Sequence, residues 1–278
     1  MSPASASSQP QAAAPTAEAG PHPAPAFAGG TAIGALGGLI GLGGAEFRLP
    51  LLIGVFRFRA LEAVILNKAM SLIVVATALP FRAATVPFSD IGAQWPIILN
   101  LLAGSLVGAW VGAGWATRIS SRSLYRVLAI LMALIAVALY FWHGSTATSA
   151  ALTGPWLIAA GVIAGFATGV VAALMGVAGG ELLIPTLLLL FGADIKLAGS
   201  LSLAVSLPTM IVGFMRYSRD DAFSVISHHK AFVIVMALGS VAGTFIGGRL
   251  LGIVPDHVLL PTLSLILLIS AVKVWKHG

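Results

Sequence analysis

From Phe27 onward the chain alternates long apolar stretches with short polar loops. A hydrocarbon core of about 30 Å needs about 20 apolar residues per helix. Stretches of that length fall at 60–81, 93–117, 122–142, 154–175, 195–215, 229–252 and 257–275, and each predicts a membrane-spanning helix. Residues 1–26 read differently, as a disordered tail rich in Ala, Ser and Pro. Six of the 15 prolines stand there (Pro3, Pro10, Pro15, Pro21, Pro23, Pro25), with no Lys or Arg. A secretory signal needs a basic start, so the chain is expected to begin at Met1.

Two stretches break the pattern. Ala26 to Gly44 runs into Gly41-Leu42-Gly43-Gly44-Ala45-Glu46-Phe47-Arg48-Leu49-Pro50, followed by the short apolar leg Leu51 to Phe56. The second is Gly176-Val177-Ala178-Gly179-Gly180-Glu181-Leu182-Leu183-Ile184-Pro185, followed by Thr186 to Phe191. Pro185 lies 135 positions after Pro50, and the same offset lays Gly41 on Gly176, Gly44 on Gly179 and Glu46 on Glu181. It also lays Gly104-Ser105, Gly108 and Gly112 on Gly239-Ser240, Gly243 and Gly247, and Ser71 on Ser206. The chain therefore reads as an internal duplication: a first membrane repeat at 27–143, a linker at 144–153 and a second repeat at 154–278.

Basic loop residues orient the repeats. In the first repeat they stand in the first and third loops, as Arg57 and Arg59, then Arg118 and Arg122, with a lone Arg82 between them. In the second they concentrate in the second and fourth, as Arg216, Arg219 and Lys230, then Lys273 and Lys276; Lys196 is the dissenting charge. Cytoplasmic loops carry the excess of Lys and Arg, so the repeats are expected to lie in opposite senses with both termini cytoplasmic. With three ordinary spans per repeat, inversion requires the Gly-Pro element to be a hairpin: a helix, a break inside the membrane, and a half-helix returning to the same side. Irregular backbone at that depth must be buried in protein or line a wet cavity. The alternative is a single kinked helix followed by a surface loop. Leu49-Pro50 and Ile184-Pro185 read as helix starts, since Pro is tolerated in the first turn. Such N-termini direct N–H groups and a positive dipole end at an anion. Gly43, Gly44, Gly179 and Gly180 would let the backbone approach a ligand closely.

Composition narrows the class. The 278 residues are 58% hydrophobic and 9% charged, with mean hydropathy +1.01, whereas a soluble domain has about 25% charged residues. A water-soluble globule is excluded, and the fold class is an all-α polytopic membrane protein. The net charge of +6 would suggest nucleic acid in a soluble protein; here it reports loop orientation, and no nucleic-acid partner is expected. With no cysteine there is no disulfide and no Cys-ligated metal. His228, His229 and His257 lie in loops without carboxylates at ligand spacing, so neither metal nor cofactor is expected. The absence of an H-E-x-x-H pattern argues against an intramembrane metalloenzyme.

Two copies of a Gly-rich break running into Pro, carried by Gly43-Gly44 to Pro50 and by Gly179-Gly180 to Pro185, resemble the sulfite exporter family labelled TauE/SafE over nearly everything after the tail. The resemblance implies a bacterial inner-membrane transporter of about eight helices for sulfite, sulfonates or related small anions. The family's usual pattern has apolar residues before the Pro, where this chain carries Glu46, Arg48 and Glu181. Ionisable groups inside a membrane are costly and mark function. Glu46 and Glu181 are thus expected to take up protons or a cation, and Arg48 to pair with Glu46 or hold an anionic substrate. The competing expectation is a local Glu46–Arg48 ion pair, with Glu181 capping the following half-helix.

Asn67, Lys68 and Ser71, with Ser202 and Ser206 in the second copy, are further substrate-binding candidates, the first three read as one helical face. The competing expectations are that Lys68 snorkels to the interface and that the hydroxyls bond back to their own helix. Gly104, Gly108, Gly112, Gly239, Gly243 and Gly247 have the spacing of backbone-to-backbone helix packing. Tryptophans near span ends suit an interfacial belt. The function expected is secondary transport of a small anion, with membrane lipid and a second copy in a homodimer as further partners. The rival is a cation or metal-ion permease or channel using the paired glutamates.

Overall fold

The computed structural model describes residues 23–40, 44–82, 87–141, 153–250 and 256–276. Twelve α-helices stand among them: α1 (Pro23–Ile40), α2 (Ala45–Gly54), α3 (Ala60–Arg82), α4 (Phe88–Ala93), α5 (Trp95–Ala116), α6 (Ser121–Phe141), α7 (Gly154–Met175), α8 (Gly180–Phe191), α9 (Ile195–Tyr217), α10 (Ser224–His228), α11 (Lys230–Leu250) and α12 (Asp256–Trp275). The protein is an all-α, multi-pass membrane protein, and α3, α5, α7, α9 and α11 are each long and apolar enough to cross a bilayer. Large apolar side chains face outward, among them Trp156, Ile163, Leu134 and Ile269, each at least 60% exposed. Lipid, rather than water, suits such a surface.

Helix α1 starts at Pro23, inside the segment read as tail. Pro23 and Pro25 fit its first turn, where a missing N–H costs no intrahelical bond. The rest of the tail, the linker up to residue 152, Gly41 and Gly43 lie outside the described residues.

Close glycine contacts fix how the helices run. Gly104, Gly108 and Gly112 of α5 meet the Val162, Phe166 and Val170 backbone of α7 in the same order, so these helices are parallel. Gly239 and Gly243 of α11 meet Phe27 and Thr31 of α1 in the same way. A Cβ at Gly108 would run into the Phe166 carbonyl oxygen, which only glycine avoids. Helix α9 is parallel to α5, since Ser105 reaches Thr209 and Gly114 lies beside Arg216. It is antiparallel to α3: Gly213 faces Lys68, while Val75 clusters with Met210.

Each broken element folds back on itself. Gly44 lies against Ile33 and Gly37, and Gly29 against Leu51 and Phe56, so α2 runs antiparallel to α1. In the second copy Gly179 lies against Thr168 and Ala172, and Gly161 against the Phe191 ring. One end of the bundle collects the basic residues. Arg59 shares a cleft there with Thr117, Ser121 and Ala222, Arg126 stacks over Trp275, Arg219 lies 4.9 Å from the Trp110 ring centre, and Lys273 touches Gly54.

Candidate functional site

The half-helices begin at glycines, not at prolines. Helix α2 starts at Ala45 behind Gly44 at φ +69°, with Pro50 inside it. Helix α8 starts at Gly180 behind Gly179 at φ +85°, with Pro185 inside it. The reading of Leu49-Pro50 and Ile184-Pro185 as helix starts, and of the prolines as the breaks, is thereby corrected. The left-handed glycines turn the chain, and at Gly44 a Cβ would strike the Ile33 carbonyl oxygen. Each proline instead removes the N–H that would bond the carbonyl four residues earlier, that of Glu46 or Glu181.

Shifting the starts places Glu46 and Arg48 in the first turn of α2. Both are fully buried. Arg48 fans out over neutral oxygens: Nε donates to Asn67 Oδ1 at 2.8 Å, Nη1 to Ser240 Oγ at 2.9 Å and Nη2 to Ser71 Oγ at 2.7 Å. Asn67 in turn joins the two breaks. Its Nδ2 donates to Ala45 O, at the start of α2, and to Met175 O, at the end of α7, each at 3.0 Å. One amide thus ties the break before α2 to the break after α7.

Lys68 has different partners. Adjacent helical residues diverge by about 100°, and its ammonium reaches Ala172 O at 2.9 Å and Val177 O at 3.3 Å, at the C-terminal end of α7. It is fully buried, so it does not snorkel, and it meets the same end of α7 as the Asn67 amide. A cation there complements the helix dipole. Tyr217 OH, also buried, donates to the neighbouring Ala173 O at 2.9 Å.

Glu46 and Glu181 occupy equivalent places at the starts of α2 and α8, and their carboxyl groups are close enough to interact directly. Neither oxygen of Glu46 has a hydrogen-bond partner, and neither has Glu181 Oε1. Two ionised carboxylates have no proton to share, so no bond joins them until one is protonated. The local Glu46–Arg48 hydrogen-bonded pair does not form: Arg48 points to α3 and α11, although its charge still acts on Glu46.

The second copy of the cradle has hydroxyls and no cation. Leu183 stands where Arg48 would repeat. Ser202 donates to Gly199 O in its own helix at 2.8 Å, and the buried Ser206 hydroxyl has no partner. Ser105, the counterpart of Ser240, lies 2.7 Å from Thr209 Oγ1. Thr209 spends its own proton on Val205 O, so Ser105 is the donor. Ser240, Ser105, Thr209 and Tyr217 were absent from the sequence-based set of site residues. Ser105 and Ser240 had one signal, their coincidence at the 135-residue offset beside the glycine ladders. Gly247 is buried in α11, and among the described residues no cluster of three or more His, Asp or Glu could hold a metal ion.

The family model described as Sulfite exporter TauE/SafE matches residues 26–274. No curated protein matches the chain, and no solved structure does.

Proposed function

Since the chain belongs to the sulfite exporter TauE/SafE family of membrane transporters, we propose that it is a secondary transporter moving a small anion, such as sulfite or a sulfonate, across a bacterial inner membrane. The observation that carries this is the buried Arg48 fan. A guanidinium with no carboxylate bonded to it, at the meeting point of two helix breaks, presents positive charge where an inverted-repeat transporter binds its substrate. The Ser71 and Ser240 hydroxyls accept from Arg48 and keep their own protons to donate to an oxyanion. Arg48 then serves as the anchor, Ser71 and Ser240 as donors from opposite repeats, and Asn67 as the residue that orients Arg48 against both breaks.

The helix directions support alternating access. The pairs α1–α11 and α5–α7 are bound backbone to backbone and act as rigid bodies, while α3 and α9 cross antiparallel between them. Rocking these units about the paired breaks exposes Arg48 first to one side and then to the other. The basic end faces the cytoplasm with both termini, as the positive-inside rule favours. Glu46 and Glu181 supply the proton coupling.

The test is uptake of radiolabelled sulfite or methanesulfonate into proteoliposomes by wild type and Arg48→Leu, the residue found at the equivalent position 183. The variant is expected to lose uptake by at least about 100-fold, the scale of a lost charge-assisted contact of about 3 kcal/mol. Unchanged uptake would overturn the reading. The unbonded glutamate oxygens favour one rival, a cation permease; that reading requires cation flux to survive in Arg48→Leu.

A further inference from the structure

The buried centre has few charges, and their sum constrains what the site admits. Helix α2 carries Glu46 and Arg48, and α8 carries Glu181. The helices packed on them are α1, α3 and α12 for α2, and α7 and α9 for α8. Helices α1 and α7 have no ionisable side chain. From α3, Lys68 is committed to Ala172 O and Val177 O. From α12, Lys273 lies against Gly54, at the far end of α2. From α9, Lys196 and Arg216 stand near the helix ends, and the Tyr217 hydroxyl is committed to Ala173 O. Glu46, Glu181, Arg48 and Lys68 therefore set the charge of the crossing between the breaks.

An anion entering beside Arg48 adds negative charge to a space already holding two carboxyl groups that receive no hydrogen bond from either cation. Uncompensated charge in such a medium is strongly disfavoured. Arg48 and the Lys68 ammonium already carry their protons, so the two carboxyls are the groups that can offset it, each by taking a proton. Once protonated, one can donate to its neighbour, which supplies the missing bond.

Resting on the transport function proposed above, we infer that anion binding at Arg48 is matched by uptake of one proton per unit of negative charge at the Glu46–Glu181 pair, so that transport is electroneutral. The chemistry is a single protonation: one O–H bond forms on a carboxylate oxygen, the proton comes from the aqueous face then open, and no electrons are exchanged. Release on the other side returns anion and proton together. By reciprocity, the proton and the anion each raise the other's affinity by the same factor.

The experiment uses the full chain with methanesulfonate, which stays monovalent and carries no proton of its own. A pH indicator in weakly buffered detergent solution is expected to report about one proton taken up per anion bound. Apparent Kd is expected to rise about tenfold per pH unit where the pair is losing its proton. In proteoliposomes a valinomycin-clamped potential should leave the wild-type rate unchanged, whereas moving one net charge through 100 mV would alter accumulation about 50-fold. Glu46→Gln/Glu181→Gln, checked for folding by size exclusion, should bind methanesulfonate without proton uptake. Wild-type binding with no proton uptake, or uptake driven by potential, overturns the inference and leaves anion transport standing. Failure to bind both methanesulfonate and sulfite overturns the inference together with the transport function.

Discussion

Replacing Asn67 with leucine tests the junction between the breaks without touching a charge. The side chain is buried, and leucine is close to it in size. Three hydrogen bonds vanish: one accepted from Arg48 Nε and two donated, to Ala45 O and Met175 O. The Arg48 bond involves a charged donor and contributes about 1.5–3 kcal/mol. Met175 O sits at the end of α7, beyond the last intrahelical donors, so orphaning it costs about 1–3 kcal/mol. Ala45 O keeps the helical N–H of Leu49 and loses about 0.5–1 kcal/mol. The expected destabilisation is about 3–7 kcal/mol, or roughly 6–28 °C in Tm on the scale of a chain this long. Thermal unfolding in detergent, followed by tryptophan fluorescence, measures it. The control is Ser202→Ala, the counterpart whose hydroxyl bonds only within its own helix, expected to cost about 1 kcal/mol or less. If Asn67→Leu melts within about 2 °C of that control, the amide does not hold the breaks together.

Ser206→Ala separates stability from function. Removing a buried hydroxyl that has no partner should leave Tm unchanged or raise it by roughly 2–4 °C, since an unmet hydroxyl costs about 1 kcal/mol or more. If that hydroxyl meets the substrate in the opposite state of the cycle, anion uptake falls in the same variant; a variant that is both less stable and fully active would contradict this. Gly108→Val should abolish folded protein in a size-exclusion profile, because its Cβ has no room against the Phe166 carbonyl. Gly92→Ala, with open space around it, should give a wild-type profile.

The spans were legible because a bilayer imposes a length. The stretch 154–175 became α7 at Gly154–Met175, and 195–215 became α9 at Ile195–Tyr217. Helices α4 and α10, of six and five residues, are too short for any periodicity to register. The breaks were legible as glycine runs. Their positions were misjudged because Pro50 fits a helix start on local rules, while the true start depends on Gly44 meeting Ile33 across the hairpin. Asn67 and Ser71 were legible as one face, being a helical turn apart. Lys68 departs from them in its partners, bonding Ala172 O and Val177 O and not Arg48. Ser240, 192 positions from Arg48, was hidden because a single sequence does not report long-range pairing. Only the duplication hinted at it, through Ser105.

The central claim is that the two halves face opposite ways across the membrane and share one site between them. Arg59, just before α3, and Lys196, at the start of α9, are exposed and flank the corresponding helix starts, Ala60 and Ile195. The chain has no native cysteine to give background. Arg59→Cys and Lys196→Cys, each treated with a membrane-impermeant maleimide on intact cells and on inverted vesicles, should react from opposite sides: Arg59→Cys in inverted vesicles and Lys196→Cys in intact cells. Labelling of both from the same side would contradict the inverted arrangement and, with it, alternating access about the paired breaks.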